Sequence, residues 1–323
     1  MNSRGSFRLF RLFGIDVSLH WTWLILAVYQ LQLRGEHYQG QVIWAFAEYV
    51  SLFLIVLMHE FGHALACRQV GGVAEHIFLW PFGGIAFVQP PSRPGALLWS
   101  IVAGPLVNVA LIPVLFALDL LVPAGGNLGR FVGMLQLINV LLLVFNLLPI
   151  YPLDGGQILR AVLWFMVGRA RSLMIAAGVG LVGAAAVLVL AVSYGAWWLL
   201  LLAVLGAMQS FIGFQQARLL LRIMKAPHYA SVACPACGAP PPAGPFWPCA
   251  CGQPFDHFAQ GGVCPRCGRF AEATLCSECG AAHPIYAWYS AQLEPAIARR
   301  AVLYQPYTPP PAAGSVPGFD RSA

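Results

Sequence analysis

The chain has 323 residues, of which 59% are hydrophobic and 9% are charged, whereas a soluble domain carries about a quarter charged residues. This composition excludes a water-soluble globule. The net charge of +6 does not indicate a nucleic-acid-binding protein, because Lys225 is the only lysine and the arginines lie mostly at the ends of apolar runs. These runs approach the roughly 20 residues that cross a bilayer, so the sequence predicts a polytopic membrane protein.

Six apolar runs predict membrane-spanning helices, and the fold class is therefore an all-α membrane protein. Residues 1–14 lead into no A-x-A cleavage site, so we expect no removable signal peptide and a first span that stays in place. The predicted spans are residues 17–33, 41–66, 96–121, 131–150, 173–193 and 196–216. The predicted domains are a membrane core at 1–226, a cysteine module at 227–284, and a short helix with a disordered proline-rich tail at 285–323.

Basic residues predict the orientation of the chain in the cell membrane. With six spans, only Arg34 and Arg130 fall on the side opposite the N-terminus. Because basic residues favour the cytoplasmic side, both termini are predicted to be cytoplasmic. The eleven basic residues on the cytoplasmic side are Arg4, Arg8, Arg11, Arg68, Arg93, Arg160, Arg169, Arg171, Arg218, Arg222 and Lys225.

The segment between the second and third spans predicts a small membrane-associated β-hairpin. Residues 77–88, IFLWPFGGIAFV, are too few to cross the membrane and too apolar for an ordinary loop. Pro81 and Gly83-Gly84 mark the turn between two short strands. Irregular backbone at membrane depth must be sheltered by protein or line a water-filled cavity, so the hairpin is expected to line a pocket.

The second span ends in HEFGH, residues 59–63. His59 and His63 share one helix face and could bind one zinc ion, with Glu60 beside them as a general base. Ionisable groups in a membrane helix cost roughly 2.5 to 3.5 kcal/mol each and are functional by default. The alternative is a pair of neutral core histidines with Glu60 paired to an arginine, but residues 41–66 contain no arginine.

Asp154 is the candidate for a third zinc ligand, since catalytic zinc usually has three ligands from the protein. It lies in NLLPIYPLDGG, residues 146–156, after the proline-broken end of the fourth span. The second and fourth spans run in the same direction, which places His63 and Asp154 at similar depth near the cytoplasmic face. The alternative is that Asp154 only caps the helix beginning near Gly155.

These motifs together resemble the site-2 protease family of intramembrane zinc metalloproteases. The resemblance covers roughly residues 7–225 and includes the hairpin with its FGG and the third-span sequence Ala103-Gly104-Pro105. It implies hydrolysis of peptide bonds in or near a transmembrane helix of a membrane-protein substrate. It also implies that Asn108 binds the substrate or polarises its carbonyl. The zinc ligands implied by the resemblance are His59, His63 and Asp154, with Glu60 as the base.

Two other functions compete with a protease. A catalytically inactive membrane adaptor would keep the zinc ligands as a structural site but would need no base, whereas Glu60 is present. A transporter would carry polar residues across the midplane of several helices, whereas here they gather at one depth. A protease is therefore the favoured function. In a protease, the edge of the hairpin could hold an unwound substrate segment as an added strand.

Eight of the nine cysteines form four close pairs, each followed by a glycine that permits a tight turn. Thiols stay reduced in the cytoplasm, so the pairs predict two structural zinc sites resembling tandem zinc ribbons rather than disulfides. Pairing the first with the second and the third with the fourth is the simplest arrangement. Cys67 is expected to be a small buried residue. The pairs are Cys234 and Cys237, Cys249 and Cys251, Cys264 and Cys267, and Cys276 and Cys279.

The cysteine module is expected to contact a cytoplasmic protein. It contains two arginines and three acidic residues, and this balance of charge argues against binding to nucleic acid. Four aromatic residues could dock the substrate's cytoplasmic part or cover the protease mouth, although some must fill the small core. These residues are Phe246, Trp247, Phe255 and Phe258.

Overall fold

The computed structural model of the protein describes residues 5–80, 83–123 and 126–289. The chain forms two units, Met1–Lys225 and Ala226–Ala323. Pro81, in the predicted hairpin turn, and the predicted tail beyond Tyr289 lie outside the described residues.

The first unit consists of α-helices and one small sheet, and its elements follow one another along the chain without long irregular segments. A short 3-10 helix, Glu36–Tyr38, links the first two α-helices. The elements are β1 (Ser6–Leu12), β2 (Ile15–His20), α1 (Thr22–Gly35), α2 (Val42–Gln69), β3 (Val73–Trp80), β4 (Gly83–Gln89), α3 (Pro94–Leu121), α4 (Asn127–Asn146), α5 (Asp154–Val167), α6 (Arg169–Tyr194) and α7 (Trp197–Lys225).

Five of the described helices, α2, α3, α4, α6 and α7, are long and apolar enough to cross a membrane. They correspond to the predicted second to sixth spans. The prediction that residues 17–33 form one membrane helix is wrong. Strand β2 takes the first part of this segment, and the 14 residues of α1 reach about 21 Å, so β2 and α1 together, rather than one helix, cover the roughly 30 Å of a hydrocarbon core. The first part of the segment forms a strand because its apolar residues alternate: Ile15, Val17 and Leu19 are all buried on the core side of β2.

The sheet has the strand order β1-β2-β3-β4, with antiparallel outer pairs and a parallel pair β2–β3 in the middle. The predicted hairpin at residues 77–88 is confirmed as the greater part of β3 and β4. Because β2 pairs with β3, the N-terminal hairpin β1–β2 lies at the same end of α2 as β3–β4. The unit is therefore helical with a four-stranded sheet rather than a single hairpin.

One face of the sheet packs on the C-terminal half of α2, the half that carries HEFGH. Arg68 strengthens the contact, because its guanidinium donates to the carbonyl oxygens of Gly14 and Ala74 at 3.1 and 2.9 Å. Cys67 is fully buried in this core, as predicted. The buried core residues are Ile15, Val17, Leu19, Trp23, Val56, Leu57, Phe61, Ala64, Cys67, Ala74, Ile77 and Leu79.

The second unit contains two very short hairpins and a small aromatic core. The hairpins are Trp247–Pro248 with Pro254–Phe255 and Thr274–Leu275 with Ala282–His283. Trp247, Phe255 and Phe258 are 4 to 8% exposed, so these three fill the small core, as was predicted for some of the four aromatic residues, and the prediction that they offer a docking surface is wrong. A chain segment with so little apolar sequence uses its aromatic rings for its own core. The core comprises Val232, Cys234, Trp247, Phe258, Cys276, Ile285 and Trp288.

Candidate metal centres

Three predicted ligands converge at the C-terminal half of α2. The helix places His59 and His63 one turn apart with their Nε2 atoms 3.1 Å from each other. Asp154 begins α5, and its Oδ2 lies 3.0 Å from His59 Nε2 and 3.3 Å from His63 Nε2. Leu153, and not Asp154, occupies the N-cap position of α5. The carboxylate is directed at the histidines instead.

The donor atoms of this cluster fit a metal cation. His63 Nδ1–H donates to the carbonyl oxygen of Ser100 at 2.9 Å, and His59 Nδ1–H donates to Asn108 Oδ1 at 2.6 Å. With Nδ1 as the donor, the neutral form of each ring leaves Nε2 free to bind a metal beside the Asp154 carboxylate. Tetrahedral zinc with bonds of 2.0 to 2.1 Å separates its ligand atoms by about 3.3 Å, close to the three distances observed.

Close approach of α3 to α2 holds His63 in place. A Cβ on Gly104 would lie 2.2 Å from His63 Nε2, so only glycine fits at this position of α3. The predicted sequence Ala103-Gly104-Pro105 thus has a packing role that its residue types did not reveal.

Glu60 is 6% exposed and lies under strand β4. Its Oε2 accepts a hydrogen bond from the backbone N–H of Ala86 at 2.9 Å. A Cβ on Gly84 would lie 2.3 Å from Glu60 Cγ, so the strand passes directly over the carboxylate. Strand β4 pairs only with β3 among the described strands. Its unpaired edge therefore faces Glu60 at Ala86.

Asn108 lies behind His59, in contact with the ring nitrogen that points away from the cluster. Its side chain is fully buried, with Oδ1 bound to His59 and Nδ2 donating to Asn139 Oδ1 at 2.8 Å. Both ends of the amide thus bind protein groups in this structure. The substrate contact implied by the family resemblance stays a prediction.

Two asparagines of α4 that no sequence motif predicted lie close to the cluster. Asn139 is fully buried against Asn108, and Asn146 Nδ2 lies 3.4 Å from His59 Nε2. Either could have been found as a polar residue in an otherwise apolar helix, since such residues are costly in lipid and commonly functional.

The eight cysteines of the second unit form two four-sulfur clusters, but the predicted sequential pairing is wrong. The first pair joins the fourth, and the second joins the third. The ends of the module meet because Val232 bridges to Tyr289 and Ala233 N–H donates to the carbonyl oxygen of Trp288 at 2.9 Å. This contact carries the first cysteine pair to the fourth and leaves the second and third to each other.

Sulfur distances in both clusters fit zinc. The closest contacts across each cluster are 3.6 to 3.8 Å between Sγ atoms. Zinc–sulfur bonds of 2.3 Å in a tetrahedron give about 3.8 Å, whereas a disulfide requires about 2.05 Å. The glycines that follow the pairs have left-handed φ angles of 68 to 83°, as the tight turns require. They are Gly238, Gly252, Gly268 and Gly280.

Comparison with known proteins gives the family. Residues 122–190 match the model of peptidase family M50. The zinc metalloprotease MJ0392 of Methanocaldococcus jannaschii is 35% identical over 175 residues, which cover 54% of this chain and 50% of that protein. A shorter relative from the same archaeon, MJ0611, is 43% identical over 137 residues, covering 35% of this chain and 69% of the relative.

A solved site-2 protease structure from Methanocaldococcus jannaschii is 28% identical, with a TM-score of 0.49, and the match covers 65% of this chain and 95% of that chain. The chain belongs to peptidase family M50, the site-2 protease family, as the sequence motifs predicted. The family implies a zinc ion, and the chain spans about half the length of curated relatives such as MJ0392.

Proposed function

We propose that the protein is an intramembrane zinc metalloendopeptidase that cleaves membrane-protein substrates within or near their transmembrane segments. The observation that carries the proposal is the convergence of His59, His63 and Asp154 within 3.3 Å of one another beside the buried carboxylate of Glu60. An inactive adaptor with structural zinc would need the three ligands only. A carboxylate held next to them under an open strand edge favours catalysis.

The residues of the chain divide the chemistry between them. Zinc held by His59, His63 and Asp154 would act as a Lewis acid and lower the pKa of a coordinated water from about 15.7 to about 7. Glu60 takes the proton of the attacking water on a carboxylate oxygen and delivers a proton to the leaving amine. The hydrogen bond from Ala86 N–H orients the Glu60 carboxylate for this transfer.

The open edge of β4 is the proposed substrate site. Peptide groups of a transmembrane helix are bonded to one another, so the substrate must unwind before attack. Pairing with β4 would replace the lost hydrogen bonds along a strand that crosses Glu60. The Ala86 N–H is already bonded to Glu60, so the test uses Val88→Pro, which removes an N–H two residues further along the same edge, and we expect loss of cleavage with metal still bound. Unchanged turnover by the variant would contradict strand addition.

The wider setting completes the proposal. The distribution of basic residues, together with the position of β1–β2 at the HEFGH end of α2, supports a cytoplasmic N-terminus in the cell membrane. We place the cysteine module in the same reducing compartment, with two structural zinc ions and a cytoplasmic protein as its partner. Arg266 and Arg269 are too few to recruit nucleic acid.

A single substitution separates the enzyme from the adaptor. Glu60→Gln keeps an oxygen that can accept the Ala86 hydrogen bond but cannot carry the proton. Purified wild-type protein and Glu60→Gln are compared on a model transmembrane substrate, with metal content measured for both. We expect the variant to retain zinc and lose about 10²- to 10⁴-fold in rate. Equal product from both proteins would overturn the proposed activity.

A further inference from the structure

We propose that Asn139 is a positioning residue of the metal centre, which acts through Asn108 to hold His59 with its unprotonated Nε2 toward the cation. The inference rests on the proposed zinc site, and it assigns a role to a residue of α4 that touches none of the ligands. It also gives Asn108 a role on the protein side of the centre.

A chain of hydrogen bonds links the three side chains across α2, α3 and α4. Asn139 Nδ2 donates to the backbone carbonyl oxygen of Asn108 at 2.9 Å, and Asn108 Nδ2 donates to Asn139 Oδ1 at 2.8 Å. His59 Nδ1–H donates to Asn108 Oδ1 at 2.6 Å. Both asparagines are fully buried. All four polar atoms of the two amides therefore have a role in this chain.

The backbone carbonyl of Asn108 fixes the direction of every bond in this chain. A carbonyl oxygen can only accept, so the Asn139 amide must present its NH₂ group there. Its oxygen must then face the NH₂ group of Asn108, which leaves the Asn108 oxygen facing His59. Since an amide oxygen also only accepts, the neutral His59 ring that binds a metal must carry its proton on Nδ1 and its lone pair on Nε2.

The two histidine rings are oriented by different kinds of hydrogen-bond acceptor. His63 is held by a backbone carbonyl, that of Ser100, whose orientation the helix sets. His59 is held by a side-chain amide, which could turn over and present its NH₂ group to the ring. That inversion would place the imidazole proton on Nε2 and remove a ligand. Asn139 prevents the inversion, and no equivalent residue is needed for His63.

A purely structural role predicts different behaviour. Buried amides between membrane helices can serve as packing contacts alone, and their loss then lowers stability without changing the metal site. Groups that orient a metal-bound histidine typically cost 10- to 100-fold in metal affinity when removed. Metal affinity and stability must therefore be measured separately.

The test measures cobalt binding to the full-length protein. Absorption of the histidine–aspartate site is obtained as the difference from His59→Ala, in which the cysteine sites alone load. We expect Asn139→Leu, which matches asparagine in size, to raise the cobalt dissociation constant 10- to 100-fold. If Asn139→Leu does not fold, Asn139→Ser replaces it with the same expected loss, because its hydroxyl is too short to reach both groups of Asn108.

Glu48→Gln is the matched stability control. Glu48 is a fully buried residue of α2 that lies three turns before His59 and pairs with Arg34 at 3.2 Å. The control is expected to lower the melting temperature and leave the cobalt dissociation constant unchanged. An Asn139 variant that behaves like Glu48→Gln would overturn the inference. If wild-type protein binds no cobalt at the histidine–aspartate site, the proposed function fails instead, so the two failures are distinguishable.

A rescue variant sharpens the result. Asn108→Asp presents only acceptor oxygens to His59 Nδ1, whichever way the group is turned. Combined with Asn139→Leu, it should restore cobalt binding to within a few-fold of wild type, because the inversion no longer matters. A double variant that folds but binds as weakly as Asn139→Leu alone would contradict a positioning role.

Discussion

The membrane cluster and the cysteine clusters solve the same problem, holding a cation, by opposite means. The first uses three donor atoms from two helices distant in sequence, and each histidine ring is oriented by a further hydrogen bond. Each cysteine cluster uses four sulfurs on short turns, and both clusters lie within 46 residues of chain, from Cys234 to Cys279. Three ligands leave a position for reaction, whereas four close the site. The packed helices position the ligands of the membrane cluster, whereas the cysteine module depends on bound metal for its own folding.

Removal of metal should give the largest difference in stability between the two units. Structural zinc contributes roughly 10 to 16 kcal/mol to the folding of small zinc modules, and the second unit has little other core. We expect a strong chelator to unfold residues 226–289 while the membrane helices keep their structure. Proteolysis after Lys225 together with far-ultraviolet circular dichroism would measure both effects.

The opposite result would also be informative. A cysteine module that stays protease-resistant after complete loss of zinc would show that its aromatic core folds alone. The folding of both units would then be independent of metal.

Substitution of Gly104 should damage the membrane centre without unfolding it. Gly104→Ala places a methyl group where His63 Nε2 lies, at 2.2 Å, so the ring must move from its donor position. We expect a 10- to 100-fold loss of cleavage rate, as for other small displacements of ligands. Gly178→Ala is the control, because its Cβ would meet nothing within 4 Å. Equal rates for the two variants would show that the close approach of α3 does not position His63.

The smallest expected effect concerns the turns of the cysteine module. Gly268 has a φ of 68°, and alanine there should destabilise the module by about 1 to 2 kcal/mol. Asparagine tolerates this backbone region better, so Gly268→Asn should lie between wild type and Gly268→Ala. The chelator concentration that unfolds the module ranks the three proteins. The reverse order would mean that the turn itself does not limit metal binding.

Local patterns predicted the parts of the fold that are local in sequence. Spans two to six, the hairpin at residues 77–88 and the approach of Asp154 to HEFGH all followed from apolar runs and short motifs. Strand β2 was missed because one of its partners, β3, lies more than 50 residues later, and β1, which pairs with β2 alone among the described strands, was missed with it. The six-residue strand merged with α1 into one apolar window, which was taken for a membrane helix.

The remaining errors also concern partners distant in sequence. The cysteine spacing predicted two zinc sites, but the pairing depends on the contact between Val232 and Tyr289. Likewise, Trp247, Phe255 and Phe258 were predicted to be partly exposed because no sequence pattern shows which surface folds inward. The Asn108–Asn139 contact joins two helices, and only its polarity within an apolar run was visible beforehand.

The nested pairing of the cysteines sets an order of assembly. The inner cluster, Cys249 to Cys267, lies wholly between the two halves of the outer one, and its last ligand precedes both remaining ligands of the outer cluster, Cys276 and Cys279. On a ribosome the inner ligands are complete first, and closing their loop shortens the span that the outer cluster must bridge. A nascent chain that stops after residue 268 would thus hold one whole metal-binding set and half of another.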